Sequence, residues 1–403
     1  MDLPPRSVTL VLCRPDGTVL GSLPPFEVTV PWWQEVGPVV DAAHEVTGVQ
    51  VTVLRLLGAA SDTGCGGPVT YLAEVDAAVD TAVAPLTPWR EPVGDHPLRL
   101  PYARPGGPAA DLAWADEELT HLGRPRTAAP RQVRTWNLSS LWRLQTKDGD
   151  AWLKVVPPFF AHEGAVISAL RSPDVPTLLA ADGPRLLMQG LPGADLYDAE
   201  GDVLPRMVSL LVGLQAQWIG RSDELLALGL PDWRGEPFAA AAAVMLERTA
   251  DQLDLATRRT CERVVAGLPA RFAALEACGV PDTLVHGDFH PGNLIGDDTH
   301  LALLDWGDCG VGNPLLDRSA FVPRIPPGQR ADVLAHWDQL WRAAVPGCDP
   351  ARAAELAGPV AALRQAVVYD GFVQAIEPSE QVYHASDSAR WLRILAGSAA
   401  VHS

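Results

Sequence analysis

Between Leu284 and Asp308 the chain reads LVHGDFHPGNLIGDDTHLALLDWGD, which places His286, Asp288, His290, Asn293, Asp297, Asp298, Asp305 and Asp308 between two apolar, strand-like runs. Three readings fit these residue types: a histidine-based metal centre, a catalytic loop for phosphoryl transfer, or a polar hairpin with no chemistry. His286 and His290 stand four apart, which on a helix would turn both toward one zinc ion. Gly287, Pro291 and Gly292 argue against a helix there, and no third ligand follows at metal-site spacing.

Phosphoryl transfer accounts for more positions. It needs an aspartate to accept or orient the hydroxyl proton, an asparagine and a second aspartate for magnesium, and a lysine for the α/β-phosphates. In protein-kinase catalytic loops the asparagine lies five residues beyond the aspartate, and Asp288 and Asn293 have that offset. The run LIGDDTHLALL reads as a tight hairpin around Gly296–His300 that returns the chain to Asp305 beside Asn293. Asp297 and Asp298 read as its solvated turn. A carboxylate and an amide oxygen suit magnesium, a hard ion.

Elements must bring these groups together. From Val133 the pattern is strand, polar loop, strand, turn, strand, then the amphipathic helix FFAHEGAVISAL and the strand RLLMQGLPG. Beyond residue 193 the 3.6-residue periodicity predicts helices over VLPRMVSLLVGLQAQWI, PFAAAAAVMLERTADQLD and LATRRTCERVVAGLPARFAALEACG. A small β-rich lobe, a hinge and a helical lobe would leave a cleft for a ligand. Residues 1–125 form a unit of their own: two strands around an Asp-Gly turn, a short helix, two more strands and an acidic helix. GRPRTAAPR at 123–131 reads as a linker.

The 403 residues suffice for two or three compact units. A formal charge of −18 disfavours nucleic acid. The amino terminus does not read as a signal peptide, and the alanine-rich stretch near Ala240 is too short to cross a bilayer. Six cysteines without a C-x-x-C pair fit reduced thiols. A cytoplasmic protein, monomeric or homodimeric, with a small-molecule partner and no membrane partner is expected. Of 31 basic residues only Lys147 and Lys154 are lysine. Lys147 sits in a turn signature, whereas Lys154 lies inside a strand.

HGDFHPGN followed by LLDWGDCGVGNPLLDRSA resembles the aminoglycoside phosphotransferase family over about residues 131–403, with its H-G-D-x-H-x-x-N and D-W…G-x-P-x-x-D motifs. The resemblance implies an α+β, protein-kinase-like two-lobed fold, with a small lobe at 126–190 and a helical lobe at 191–403 after a small α/β domain. It implies Asp288 as catalytic base, His286 as the loop's brace, and Asn293 and Asp305 as magnesium ligands. Asp317 would cap a helix and support the loop. Lys154 would grip the phosphates of ATP or GTP, paired with Glu163. Ser139 and Ser140, in the Asn137–Ser140 loop, would help cover the phosphates through backbone N–H groups, although that loop lacks the glycines of the protein-kinase version. Met188, Gln189 and Gly190 would form the adenine hinge. His290 is expected to pack against the loop. Candidate acceptor-site residues are Asp308, Trp233, Tyr369, Asp370 and Glu377.

WQEVGPVVDAAHEVTGVQV faintly resembles a Nudix hydrolase box, with only Glu45 kept among the metal-binding acids. Asp41, Ala42 and Val46 stand where the box has Arg, Glu and Glu. Such a set could not cluster magnesium for hydrolysis, and a plain α/β domain is the favoured reading. The whole reads as a kinase acting on a hydroxyl of a small polar molecule such as an aminoglycoside, sugar or amino sugar. The rival is a catalytically silent nucleotide-binding regulatory protein with a partner-binding amino-terminal domain.

Overall fold

A computed structural model describes residues 3–60, 64–76 and 85–401. The first sheet contains β1 (Arg6–Cys13), β2 (Val19–Ser22), β3 (Phe26–Val28), β4 (Thr52–Ala59) and β5 (Gly67–Glu74), with α1 (Gly37–Thr47) between β3 and β4. Its order is β2-β1-β5-β4, with β3 also on β1; β1 and β5 run parallel and the other pairs antiparallel. Strand alternation explains the core. Val8, Leu10 and Leu12 enter a cluster with Trp33 and Val36, Val39 and Ala43, while Val11 and Cys13 join Leu54 and Leu72 in another. Arg6, fully buried, donates to the carbonyls of Val30, Trp33 and Glu35 and to the Tyr71 hydroxyl, fixing the loop before α1.

The acidic helix α2 (Gly107–His121) precedes a second, antiparallel sheet: β6 (Arg131–Trp136), β7 (Ser139–Thr146), β8 (Gly149–Val155), β9 (Leu178–Asp182) and β10 (Arg185–Gln189), in the order β6-β7-β8-β10-β9. Ala115 and Leu119 of α2 share a core with Trp142, Leu144, Leu153, Val155 and Leu187. The expected boundary near residue 125 therefore runs through a hydrophobic core. By contacts the chain divides into two compact units. The first holds residues 1–159, 178–190 and 372–385; the second holds 160–177, 191–371 and 386–403. Residues 160–177, with the helix α3 (Glu163–Leu170), thus leave the expected small lobe, and 372–385 leave the expected helical lobe.

The second unit continues with β11 (Ala194–Asp195), α4 (Val203–Ala216), α5 (Ser222–Ala227), α6 (Gly235–Thr249), α7 (Leu255–Ala266), α8 (Leu268–Ala277), β12 (Thr283–Val285), β13 (Leu294–Gly296), β14 (Leu301–Leu303), β15 (Gly310–Gly312), α9 (Arg318–Phe321) and α10 (Arg330–Ala344). α11 (Pro350–Ala375) and α12 (Asp387–Val401) end it, the last turn of α11 counting with the first unit. The long helix expected over 255–279 is two. Gly267 ends α7, and Pro269, which has no N–H to donate, stands in the first turn of α8. Among the described residues no helix is long and apolar enough to cross a membrane.

Candidate active site

The loop leaves β12 at Val285 and is held from below by one carboxylate. Asp317 accepts from the backbone N–H of His286 (2.9 Å) and of Gly287 (2.7 Å) and from Nε2 of Gln215 (2.8 Å). Burial pushes its carboxyl up to about 6 against these bonds. It supports the loop as expected, but its side chain caps no helix, because both oxygens are committed to the loop. Gly287 has φ 89°, and a Cβ there would collide with the Arg364 guanidinium and the Asp308 carbonyl.

His286 is fully buried, and desolvation lowers it to about 4, so the ring is neutral. Its Nε2–H donates to the Leu304 carbonyl (2.8 Å), while Nδ1 accepts from the Asp288 N–H (3.3 Å). The histidine thereby ties the Asp288 loop to the segment that carries Asp305. The expected hairpin is present: β13 and β14 pair Leu294 with Leu303, and the Leu304 N–H donates to the Asn293 carbonyl at 2.8 Å. Asp297 builds its turn by accepting from the N–H and hydroxyl of Thr299 and the N–H of His300, which lowers it to about 2.

Asn293 donates through Nδ2 to the Asp288 carbonyl (2.8 Å) and to Asp288 Oδ2 (3.0 Å). Both bonds use the amide nitrogen, so the amide oxygen is the atom left to a cation. His290 caps the turn through Nδ1, which accepts from the Gly292 N–H, and its Nε2 lies 3.4 Å from Asp288 Oδ2. Asp305 is exposed and adopts φ 59°, ψ 65°, a left-handed conformation that costs a non-glycine residue roughly 1–3 kcal/mol. Such strain persists only where neighbours impose it. Glu163 Oε1 accepts from the Trp306 N–H (3.2 Å), and Nε2 of His162 donates to the Gly307 carbonyl (2.9 Å), so the start of α3 grips the turn after Asp305. A carboxylate and an amide oxygen fit a magnesium ion whose other ligands are phosphate oxygens and water. Among the described residues no group of three His, Cys, Asp or Glu side chains is placed to hold a metal ion.

Two braces carry little sequence signal. Arg364 of α11, buried amid Ala361, Ala362 and Leu363, donates from Nη1 to the Gly287 carbonyl (2.9 Å) and from Nη2 to the Asp308 carbonyl. Gln365 adds a longer bond to Gly287 (3.3 Å). A charged residue inside an apolar helical run was the available clue to Arg364.

The acceptor candidates disperse. Tyr369 lies near the acids: burial first, then the charges of Asp387, Asp288 and Asp308, holds its hydroxyl well above the usual tyrosine range. Trp233 stacks under the Arg364 guanidinium at 5.0 Å and edge-on to Phe238, which makes it packing for that arginine. Asp370 pairs with Arg248 (2.9 Å). Glu377 is buried in the first unit, where Arg99 holds it through Nη2 at 2.7 Å, and so does not belong to the expected helical lobe.

The remaining candidates also lie in the first unit. Lys154 is on β8, the middle strand, in register with Leu141 and Leu186. It is thus no edge-strand lysine. Leu153 and Val155 face the α2 core, which puts Lys154 on the opposite face. Ser139 and Ser140, expected in a loop, instead open β7 and pair with Trp136 and Thr135 of β6, because a two-residue turn, Asn137–Leu138, suffices to reverse the chain; both serines are buried, and Ser140 Oγ accepts from Nε1 of Trp142. Met188 and Gln189 end β10, and the Gly190 N–H donates to the Asp150 carbonyl, where the first unit passes into the second.

Comparison with known proteins follows the motif. Residues 132–354 match the model of the phosphotransferase enzyme family APH. Among solved structures, the chain is similar to a type I macrolide 2′-phosphotransferase at 16% identity, covering 70% of this chain and 97% of that one with a TM-score of 0.50. It is also similar to the macrolide 2′-phosphotransferase of Brachybacterium faecium (20% identity, 68% and 96% covered, TM-score 0.49). A third is aminoglycoside 2′-phosphotransferase-IIIa in complex with GDP (14%, 72% and 99%, TM-score 0.46). No curated protein matches the chain.

Proposed function

Because the chain belongs to the phosphotransferase enzyme family, whose model matches more than half of it, we propose that it transfers the γ-phosphoryl group of ATP or GTP to a hydroxyl of a small polar molecule such as an aminoglycoside, sugar or amino sugar. The observation that carries this reading is the bond from Asn293 Nδ2 to Asp288 Oδ2, made where the β13–β14 hairpin delivers Asp305.

Asp288 is the base. Asn293 holds one of its oxygens, and the neutral His286 fixes its backbone, so the carboxylate is oriented before an acceptor arrives. It orients the acceptor hydroxyl and takes its proton as the new P–O bond forms and the bond from the γ-phosphorus to the β–γ bridging oxygen breaks, that oxygen leaving with the nucleoside diphosphate. Asn293, through its amide oxygen, and Asp305 would hold magnesium, which would offset the charge of the phosphates. Lys154 is the phosphate-binding cation, and Glu163 orders the segment after Asp305. The Asn137–Leu138 turn, with Ser139 and Ser140 at the start of β7, covers the phosphates. The hinge Met188, Gln189 and Gly190 offers backbone groups to the adenine or guanine ring, the Gly190 N–H being engaged by the Asp150 carbonyl.

Asp288→Ala tests the reading. Turnover, followed as nucleoside diphosphate released across aminoglycosides, amino sugars, nucleosides and macrolides, is expected to fall by about 10²–10⁴-fold while nucleotide Kd is kept. Turnover at the wild-type rate in this variant would end it.

A further inference from the structure

The turn between β6 and β7 is gripped from behind by residues remote in sequence. Asn137 is 2% exposed and both ends of its amide are used. Nδ2 donates to the Glu380 carbonyl (3.1 Å), and Oδ1 accepts from Nε2–H of His384 (2.9 Å). The preceding residue is held as well: the Tyr102 hydroxyl donates to the Trp136 carbonyl (2.9 Å), and the Trp136 ring meets Tyr383 edge-on at 5.6 Å.

The gripping segment is itself anchored to the amino-terminal sheet. Glu380 Oε1 accepts from the Leu56 N–H of β4 at 2.6 Å. Glu377 is held by Nε (3.1 Å) and Nη2 (2.7 Å) of Arg99, with Arg55 at 3.5 Å. Tyr383 packs edge-on against Trp33 at 5.5 Å. β6 is fastened to the same sheet, since Gln132 donates to the Val53 carbonyl (2.7 Å) and accepts from its N–H (2.9 Å). A lid would rest on exposed, weakly paired groups. This segment rests on a buried carboxylate–guanidinium pair, whose rupture leaves an uncompensated charge.

We infer that residues 377–384, backed by the amino-terminal sheet, set the position of the Asn137–Leu138 turn between β6 and β7, so that Asn137 and His384 are nucleotide-positioning residues. The amino-terminal domain is then a scaffold of the nucleotide site and not a separate binding module. The inference rests on the phosphate role proposed above for that turn. A preorganised turn loses little freedom when it closes on phosphates. Once the His384 bond is gone, the Asn137 carbonyl oxygen stays buried and unpaired, and the turn relaxes.

The test compares His384→Ala, His384→Gln and Lys154→Ala in the full chain, reading nucleotide Kd by direct titration, KM for nucleotide and acceptor separately, and the melting midpoint. His384→Ala is expected to raise nucleotide Kd and KM about tenfold and leave acceptor KM unchanged. His384→Gln, whose amide can donate to Asn137, is expected to restore most of the loss. An unchanged nucleotide Kd with a lowered melting point would reduce His384 to a structural role and overturn the inference. Tighter nucleotide binding would make the segment a lid and overturn it equally. Lys154→Ala separates the two layers. If it weakens nucleotide binding and His384→Ala does not, only the inference falls; if it too leaves binding unchanged, the phosphate reading itself fails.

Discussion

The Asp288 loop in the second unit and the Asn137 turn in the first are both short, polar and held from behind by buried side chains. They differ in where the holders come from. His286 and Asp317 brace the loop from positions within 31 residues of one another, and His286 is part of the loop. Asn137 is braced across 243 and 247 residues, by Glu380 and His384. The loop's holders offer charge: an anionic carboxylate on two N–H groups and a guanidinium on two carbonyls. The turn meets an amide–imidazole pair and a backbone carbonyl. The Asp288 loop is thus fixed by charged holders, Asp317 near it in sequence and Arg364 brought from α11, whereas the Asn137 turn is fixed by uncharged backbone and by side chains that the fold brings from far along the chain.

Removing residues 1–125 should be the harshest test of this contrast. It strips Ala115 and Leu119 from the β7–β8 core and bares β6, which now pairs through Glu35 and Arg134. We expect loss of soluble, cooperatively melting protein, because an uncovered edge strand beside an opened core aggregates. A soluble remainder with wild-type nucleotide affinity would show the two sheets to be independent.

Asp317→Asn comes next. One amide NH₂ must face a backbone N–H that the carboxylate now accepts, so a loss of about 2–4 kcal/mol in stability is expected, with turnover reduced. Thermal melting and kcat together check it. Arg364→Met removes two buried bonds to Gly287 and Asp308 but keeps contact with Trp233. We expect about 2–3 kcal/mol of destabilisation, a lower kcat and an unchanged nucleotide Kd. A change in Kd without a change in kcat would dissolve the distinction drawn here.

The smallest effect concerns pH. Burial raises Glu380 to about 8. Between its ordinary range and that value the folded chain binds more protons at this site than the unfolded chain, so stability contributed by the protonated group is present at low pH and lost as pH rises toward 8. Glu380→Gln keeps an acceptor for Leu56 without the titration. Its melting midpoint should match wild type near pH 5 and exceed it modestly at pH 8. Parallel profiles across that range would refute the assignment.

Particular residues show what was readable beforehand. The apolar runs of LIGDDTHLALL on either side of the turn-forming Gly296–His300 predicted the hairpin, because a two-strand return of that length leaves the chain little choice. Lys154 on the third strand of its sheet followed from the strand, polar loop, strand, turn, strand pattern that begins at Val133. Gly267 with Pro269 should have split α7 from α8 on local grounds, since both residues disfavour a continuous helix. Glu377 was out of reach, because an acid after a helix says nothing about which unit will hold it; only the appearance of Arg55 and Arg99 beside it does.

The sequence by itself determined that the chain after Asn293 returns to Asp305, since the two are joined by a hairpin whose geometry is local. Tertiary structure alone decided that Arg364 braces the loop and that Glu380 and His384 grip Asn137. Such pairings depend on closing long stretches of chain around a shared core, and a closure of that kind imposes no periodicity that the intervening residues would reveal.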